Sequence, residues 1–129
     1  MTSKSKGTRY ERELLHMFYS TNSWIASRMA GSGSIPIPSP DLIAGYKNRS
    51  LAIECKALKN CYYHFAEFKI KELLEFSNKF GAEPWLAIRF NNKGWHFIKP
   101  EDLKVSPKGY SVNLELLETK GIKFNDLIK

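Results

Sequence analysis

Three residues in the first half of the chain have the types and the spacing needed to hydrolyse a phosphodiester. Asp41 follows Pro40, and Glu54 and Lys56 are separated by Cys55 alone. Side chains on an extended strand alternate between its two faces, so Glu54 and Lys56 stand side by side. Leu51, Ile53 and Cys55 fall on the opposite, apolar face, which can pack against a helix. Asp41 opens a neighbouring strand, so all three residues can converge at one end of a sheet. Two carboxylates are hard oxygen ligands suited to Mg²⁺, which keeps several waters and leaves positions open for a phosphate. A lysine beside them can orient or activate an attacking water, or stabilise charge developing on phosphorus. Taken alone, Glu and Lys at i, i+2 describe many solvated strand faces.

Glu11 is a further candidate. It lies three, four and seven residues before Leu14, Leu15 and Phe18, so it borders the apolar stripe of a helix and can point into a cleft. An equally good reading makes Thr8-Arg9-Tyr10-Glu11 a capping box, with Thr8 as N-cap and Glu11 reaching back to it. Glu13 aligns with Arg9 and Met17 and reads as solvated.

The elements that must position these residues follow from periodicity. Tyr10, Leu14, Met17 and Phe18 recur at i, i+4, i+7 and i+8, predicting a helix over 8–19 that follows a frayed basic segment, residues 1–6. A short strand over 24–29 precedes a loop, residues 30–40, with two glycines, three prolines and three serines. Strands over 41–46 and 51–57 flank a polar turn and form a hairpin. A second helix covers 65–80 and stops at Gly81, and strands over 85–90 and 94–98 meet at residues 91–93. A Lys-rich piece around residues 110–112 and a terminal helical turn at 124–128 complete the order. This succession predicts an α/β fold, a mixed central sheet flanked by helices.

Composition narrows the partners. The chain has 129 residues, enough for one domain spanning 1–129, with 20 Lys and Arg against 13 Asp and Glu, a net charge of +7. Such an excess favours an anionic partner; scattered basic residues are ordinarily a solvated surface, but the clustering of Lys6, Arg9, Arg28 and Lys69, among others, around the proposed site elements favours a DNA track. No stretch is long and apolar enough for a membrane span, and no broad amphipathic basic helix suits a membrane surface. Two cysteines, Cys55 and Cys61, make neither a disulfide framework nor a CxxC metal pattern, as expected of an intracellular protein. His16, His64 and His96 stand alone and read as structural or solvated, Cys55 as a buried small hydrophobe, and Tyr62 and Tyr63 as packing residues.

Taken together, Lys6-Gly7-Thr8-Arg9-Tyr10-Glu11-Arg12-Glu13, Arg28 with Ala30-Gly31-Ser32-Gly33-Ser34, Pro40-Asp41-Leu42-Ile43-Ala44-Gly45 and Ile53-Glu54-Cys55-Lys56 resemble the archaeal-type Holliday junction resolvases of the PD-(D/E)xK nuclease superfamily. The likeness continues through Leu74-Glu75-Phe76-Ser77-Asn78-Lys79-Phe80-Gly81 and Gly94-Trp95-His96-Phe97-Ile98 to Gly121-Ile122-Lys123-Phe124. PD…ExK is common to many nucleases; the Gly-x-x-x-Glu-Arg opening and the Gly-Ser loop before the aspartate are what make the chain resolvase-like.

The resemblance implies a restriction-endonuclease-like core that cuts four-way DNA junctions, with Mg²⁺ as cofactor and Mn²⁺ able to substitute. It makes Glu11, Asp41 and Glu54 metal ligands, Lys56 the catalytic lysine and Ser32 a loop residue that assists cleavage. Arg12 and Arg28 match basic positions near the scissile phosphate. The chain departs from the superfamily where a helical Gln often follows ExK: Phe68-Lys69-Ile70-Lys71 stands there, and Lys69 can take over the phosphate contact. The C-terminal helix is also short. Because a four-way junction must be nicked on two strands, a homodimer is expected. The strand over 94–98, apolar on both faces, is a candidate dimer surface; the alternative is that the terminal segment of the chain buries it. Two rival functions remain at this level: a nuclease for other DNA structures and a non-catalytic junction-binding protein.

Overall fold

In a computed structural model the described residues are 3–29 and 37–129. A five-stranded mixed sheet is ordered β1 (Ile25–Arg28), β2 (Leu42–Tyr46), β3 (Arg49–Leu58), β5 (Glu83–Phe90), β6 (Trp95–Ile98). Only the central β3–β5 pair is parallel; its connection carries β4 (Tyr62–Ala66) and α2 (Glu67–Phe80). The β2–β3 hairpin closes in a tighter turn than the four polar residues suggest, Tyr46 pairing with Arg49 and Lys47 taking φ 54°.

Helix α1 (Ser3–Tyr19) covers one sheet face with α4 (Phe124–Leu127). Leu14 and Phe18 are fully buried there against Leu51, Ile53, Trp85 and Phe97. Full burial of such a side chain contributes about 1.5–3 kcal/mol. Arg49 ties this layer to the sheet. Its guanidinium donates to both carboxylate oxygens of Glu83 at 2.9 and 3.0 Å and to the Leu127 carbonyl at 2.8 Å.

The second face is covered by α2, by α3 (Leu114–Lys120) and by a small antiparallel sheet ordered β4-β8-β7, where β7 is Lys104–Ser106 and β8 is Gly109–Asn113. Ile70 and Leu73 of α2 pack with Phe65, Leu86, Ile88, Val112 and Leu117. Gly81, at φ 86°, ends α2 by donating to the Ser77 carbonyl at 2.9 Å.

Several expectations require correction. Residues 3–6 belong to α1 rather than to a frayed tail, so Thr8 lies inside the helix and cannot serve as its N-cap. The small sheet and α3 were not predicted. The β6 residues Trp95, His96, Phe97 and Ile98 are all buried, and Phe97 exchanges backbone hydrogen bonds with Ile122 at 2.8 Å. That strand is therefore closed by the C-terminal segment and is not a free dimer surface. Glu13 is not simply solvated: it accepts from Trp95 Nε1 at 2.8 Å and pairs with Arg89 at 3.2 Å.

Candidate active site

The geometry begins with strand pairing. Leu42 pairs with Ile53, so Asp41 is level with Glu54 across the β2–β3 ladder. The Asp41 N–H donates to the Ile53 carbonyl at 3.0 Å, and Asp41 Oδ2 accepts the Cys55 N–H at 2.9 Å. Met29 in turn donates its N–H to the Asp41 carbonyl at 2.9 Å. The aspartate thus extends β2 by one residue ahead of Leu42 and places a carboxylate beside the strand that carries Glu54 and Lys56.

Alternation along β3 behaves as read from the sequence. Cys55 packs toward the α1 side, while Glu54 and Lys56 face a cleft of about 740 Å³ between the large sheet, β4 and the start of α2. Phe65, Ile70 and Leu86 supply its apolar wall, and Glu11, Asp41, Glu54, Lys56 and Lys69 its charged groups. Glu11 reaches the cleft from α1 on the opposite sheet face, past the end at which β2 begins. With the capping role removed, its carboxylate accepts from Arg28 Nε at 3.1 Å.

Electrostatics mark the same place. Burial, then the Asp41 charge, pushes the Glu54 carboxyl up to about 8, against the opposing pull of Lys69 and Lys56. Glu11 is raised as well, first by burial and then by Asp41, with Arg28 holding it down. Crowded carboxylates in a partly apolar cleft carry an unfavourable concentration of negative charge that a hard cation relieves. Among the described residues no three His, Cys, Asp or Glu side chains are close-set enough to cage a metal alone. The donors gathered at the cleft are carboxylate oxygens, hard ligands of the kind a divalent cation takes.

Other expected residues distribute unevenly. Lys69 lines the cleft, its ammonium 5.5 Å from the Phe68 ring centroid. Arg28 joins through Glu11. Arg9 is exposed, 5.4 Å from the Tyr10 ring, and Arg12 is exposed on α1; neither lines the cleft. Ser32 lies outside the described residues, as does the side chain of Lys6. Tyr63 is the residue that sequence reading under-rated. Its ring packs among apolar neighbours as expected, yet it also lies 5.2 Å from Lys56 Nζ. Two adjacent tyrosines carry no local signal that distinguishes the one facing a lysine; Tyr62 is exposed.

A mixed sheet whose central β3 and antiparallel β2 present an Asp…Glu-x-Lys set to one cleft defines a nuclease fold. The family described as archaeal Holliday junction resolvase (Hjc) matches residues 2–129, and the chain belongs to that family. It is 35% identical to the crossover junction endodeoxyribonuclease Hjc of Archaeoglobus fulgidus, over 95% of each chain. Identity is 34% to the Methanocaldococcus jannaschii protein of the same name, over 95% of this chain and 86% of that one. The solved structure of the A. fulgidus Hjc, described as a Holliday junction resolvase from an archaeal hyperthermophile, superposes with a TM-score of 0.89 at 29% identity, covering 95% of this chain and all of the other. Among the described residues no helix is long and apolar enough to cross a membrane.

Proposed function

We propose that this chain is a structure-selective endonuclease that resolves four-way DNA junctions by paired nicks in opposing strands, in recombination or repair. The observation that carries the reading is the convergence of Glu11, Asp41, Glu54 and Lys56 on one cleft in a chain of net charge +7, within a family whose relatives bear that activity in their names. A divalent cation, Mg²⁺ with Mn²⁺ as substitute, would be held by Asp41 and Glu54 with Glu11 beside them. Bound there, it supplies Lewis-acid activation of water and of the phosphate.

The chain's own residues perform the rest. Asp41, fixed through the Cys55 N–H, keeps one oxygen edge presented to the cleft. Glu54 holds its carboxylate against the apolar wall. Lys56 hydrogen-bonds the attacking water or the scissile phosphate and offsets charge that grows in the transition state. Arg28 holds Glu11 at the cleft edge, and Lys69 stands where a flanking phosphate would pass. Arg9 and Arg12 extend the basic track along α1; for Lys6 and Ser32 the family resemblance implies a phosphate contact and help in cleavage. Selection of the junction comes from shape and phosphate contacts, since no base-reading motif is present.

Two nicks require two sites, so the active species is a homodimer. With β6 closed, the dimer surface passes to an apolar strip on the outer face of β1 and β2 and the end of α2. Ile25, Ile37 and Phe80 are all more than half exposed there, and Phe80 stacks on Phe76 at 5.2 Å. Glu75 and Lys79, paired at 3.9 Å along the edge of the strip, carry opposite charges that a two-fold axis can re-pair between copies.

The deciding experiment incubates the protein with a labelled four-way junction and a linear duplex of matched sequence, each with Mg²⁺ and with EDTA. Symmetric nicks in the junction alone, lost in EDTA, are expected. Equal cutting of both DNAs would make the protein a general nuclease. Tight junction binding without a cut would make it an architectural protein.

A further inference from the structure

A strand fixes the Cα of Lys56 but not its ammonium, which ends a flexible four-carbon stem with much rotamer freedom. Something else has to hold Nζ in the cleft. The group that faces it is aromatic: the centroid of the Tyr63 ring lies 5.2 Å from Lys56 Nζ, within cation–π range. Both residues line the same cleft.

The ring is itself held. Tyr63 pairs with Val112 within the β4–β8 ladder, between the Tyr62–Asn113 and His64–Ser111 pairs, and packs among the apolar residues beneath the small sheet. Phe65, two residues along on the same face of β4, meets it edge-on at 4.8 Å and 75°. Ladder and aromatic neighbour together restrict the plane of the ring, so its face stays turned to Lys56.

We propose that Tyr63 is a positioning residue for Lys56, and that the small sheet serves catalysis by holding this ring across the cleft from β3. The inference rests on the nuclease reading above. A π face suits the task better than another carboxylate. It attracts the ammonium without a carboxylate's hydrogen bonds, so N–H donors remain for water or phosphate. It also adds no negative charge to a cleft already crowded by Glu11, Asp41 and Glu54.

The test is single-turnover cleavage of a four-way junction at saturating enzyme and Mg²⁺, with junction affinity measured in parallel without Mg²⁺. Tyr63→Phe keeps the ring and is expected to cut within about twofold of the parent. Tyr63→Leu removes the ring and is expected to cut roughly three- to thirtyfold more slowly at unchanged junction affinity. Replacing Tyr63 by 3,4,5-trifluorophenylalanine keeps the shape of the ring but drains its face of negative potential. The same slowing is expected there, and this variant carries the test if Tyr63→Leu fails to fold.

A trifluorophenylalanine enzyme as fast as the Phe variant would overturn the proposal. So would a Phe variant as slow as the Leu variant, since the hydroxyl would then be what matters. A parent that leaves the junction uncut would instead defeat the nuclease reading. A parent that cuts, is silenced by Lys56→Gln and ignores every change at Tyr63 would defeat the positioning role alone.

Discussion

Asp41 Oδ2 accepts the backbone N–H of Cys55 at 2.9 Å, so the carboxylate that opens β2 is locked to the strand that carries Glu54 and Lys56. Together with the Asp41 N–H, which donates to the Ile53 carbonyl at 3.0 Å, this hydrogen bond sets the spacing of the acidic pair. Its donor is a backbone group between the two functional side chains, so no change of side chain at 55 other than to proline removes it.

Asp41→Asn retains an acceptor for that N–H and removes the charge. Its stability should stay within about 1 kcal/mol of the parent, whereas Asp41→Ala leaves the N–H without its partner and should lose about 1–3 kcal/mol. Both should abolish junction cutting. Thermal melts read beside Mg²⁺-dependent cleavage separate the two effects, and an active Asp41→Asn would remove Asp41 from the ligand set.

Glu54 links stability to pH. Its carboxyl titrates near 8 in the fold against an ordinary value of 4.5, so the folded chain holds its proton more tightly than the unfolded one. The stability this gives is complete below about pH 4.5 and is lost as pH rises through 8. In metal-free buffer the parent should therefore lose stability over that window, while Glu54→Gln should follow a flatter profile and melt higher at pH 9. Mg²⁺ should raise the melting temperature of the parent at high pH and leave Glu54→Gln unmoved. The variant should bind the junction and not cut it. Identical pH profiles for the two proteins would show that Glu54 is not destabilised as an anion.

Glu11 and Glu13, two residues apart on α1, have different tasks. Glu13 accepts from Trp95 Nε1, on a ring only 6% exposed, and pairs with Arg89. Glu13→Ala strands a buried indole N–H and should lower stability by about 1–3 kcal/mol while leaving cleavage intact well below the melting temperature. Glu11→Gln should do the reverse, sparing the melt and losing the cut. Calorimetry with single-turnover kinetics on both variants checks the division.

Phe80, 56% exposed at the end of α2, lies at the centre of the proposed dimer strip. Phe80→Asp should convert the protein to monomers in analytical ultracentrifugation, since it places a charge in an apolar contact that each copy repeats. Junction nicks should then become uncoupled, one strand at a time. A dimer that survives the substitution would move the interface elsewhere.

The reach of the sequence follows the range of the forces involved. Side chains on a strand alternate because of backbone geometry alone, so Glu54 and Lys56 could be placed together, opposite Leu51, Ile53 and Cys55, before any fold was known. The helical stripe of α1 and the Gly81 stop of α2 are local in the same sense, and both match the structure. Local rules also produced the errors. Thr8 and Glu11 fit a capping box, but α1 begins at Ser3 and carries Thr8 into its interior. Strand β6 looked apolar on both faces because it is buried on both, and only the backbone exchange between Phe97 and Ile122 shows what closes it.

What the tertiary structure alone decided depends on partners far apart in the chain. The small sheet pairs Tyr62–Ala66 with Gly109–Asn113, and neither strand announces the other. Arg28 meets Glu11, and Trp95 and Arg89 meet Glu13, across gaps that no periodicity spans. The sequence determined which residues could do the chemistry and which face of β3 would carry them, because those depend on backbone repeat and residue type. Which groups crowd Glu54, which cation restrains Glu11 and which ring faces Lys56 depend on packing between distant segments, and only the folded chain brings those together.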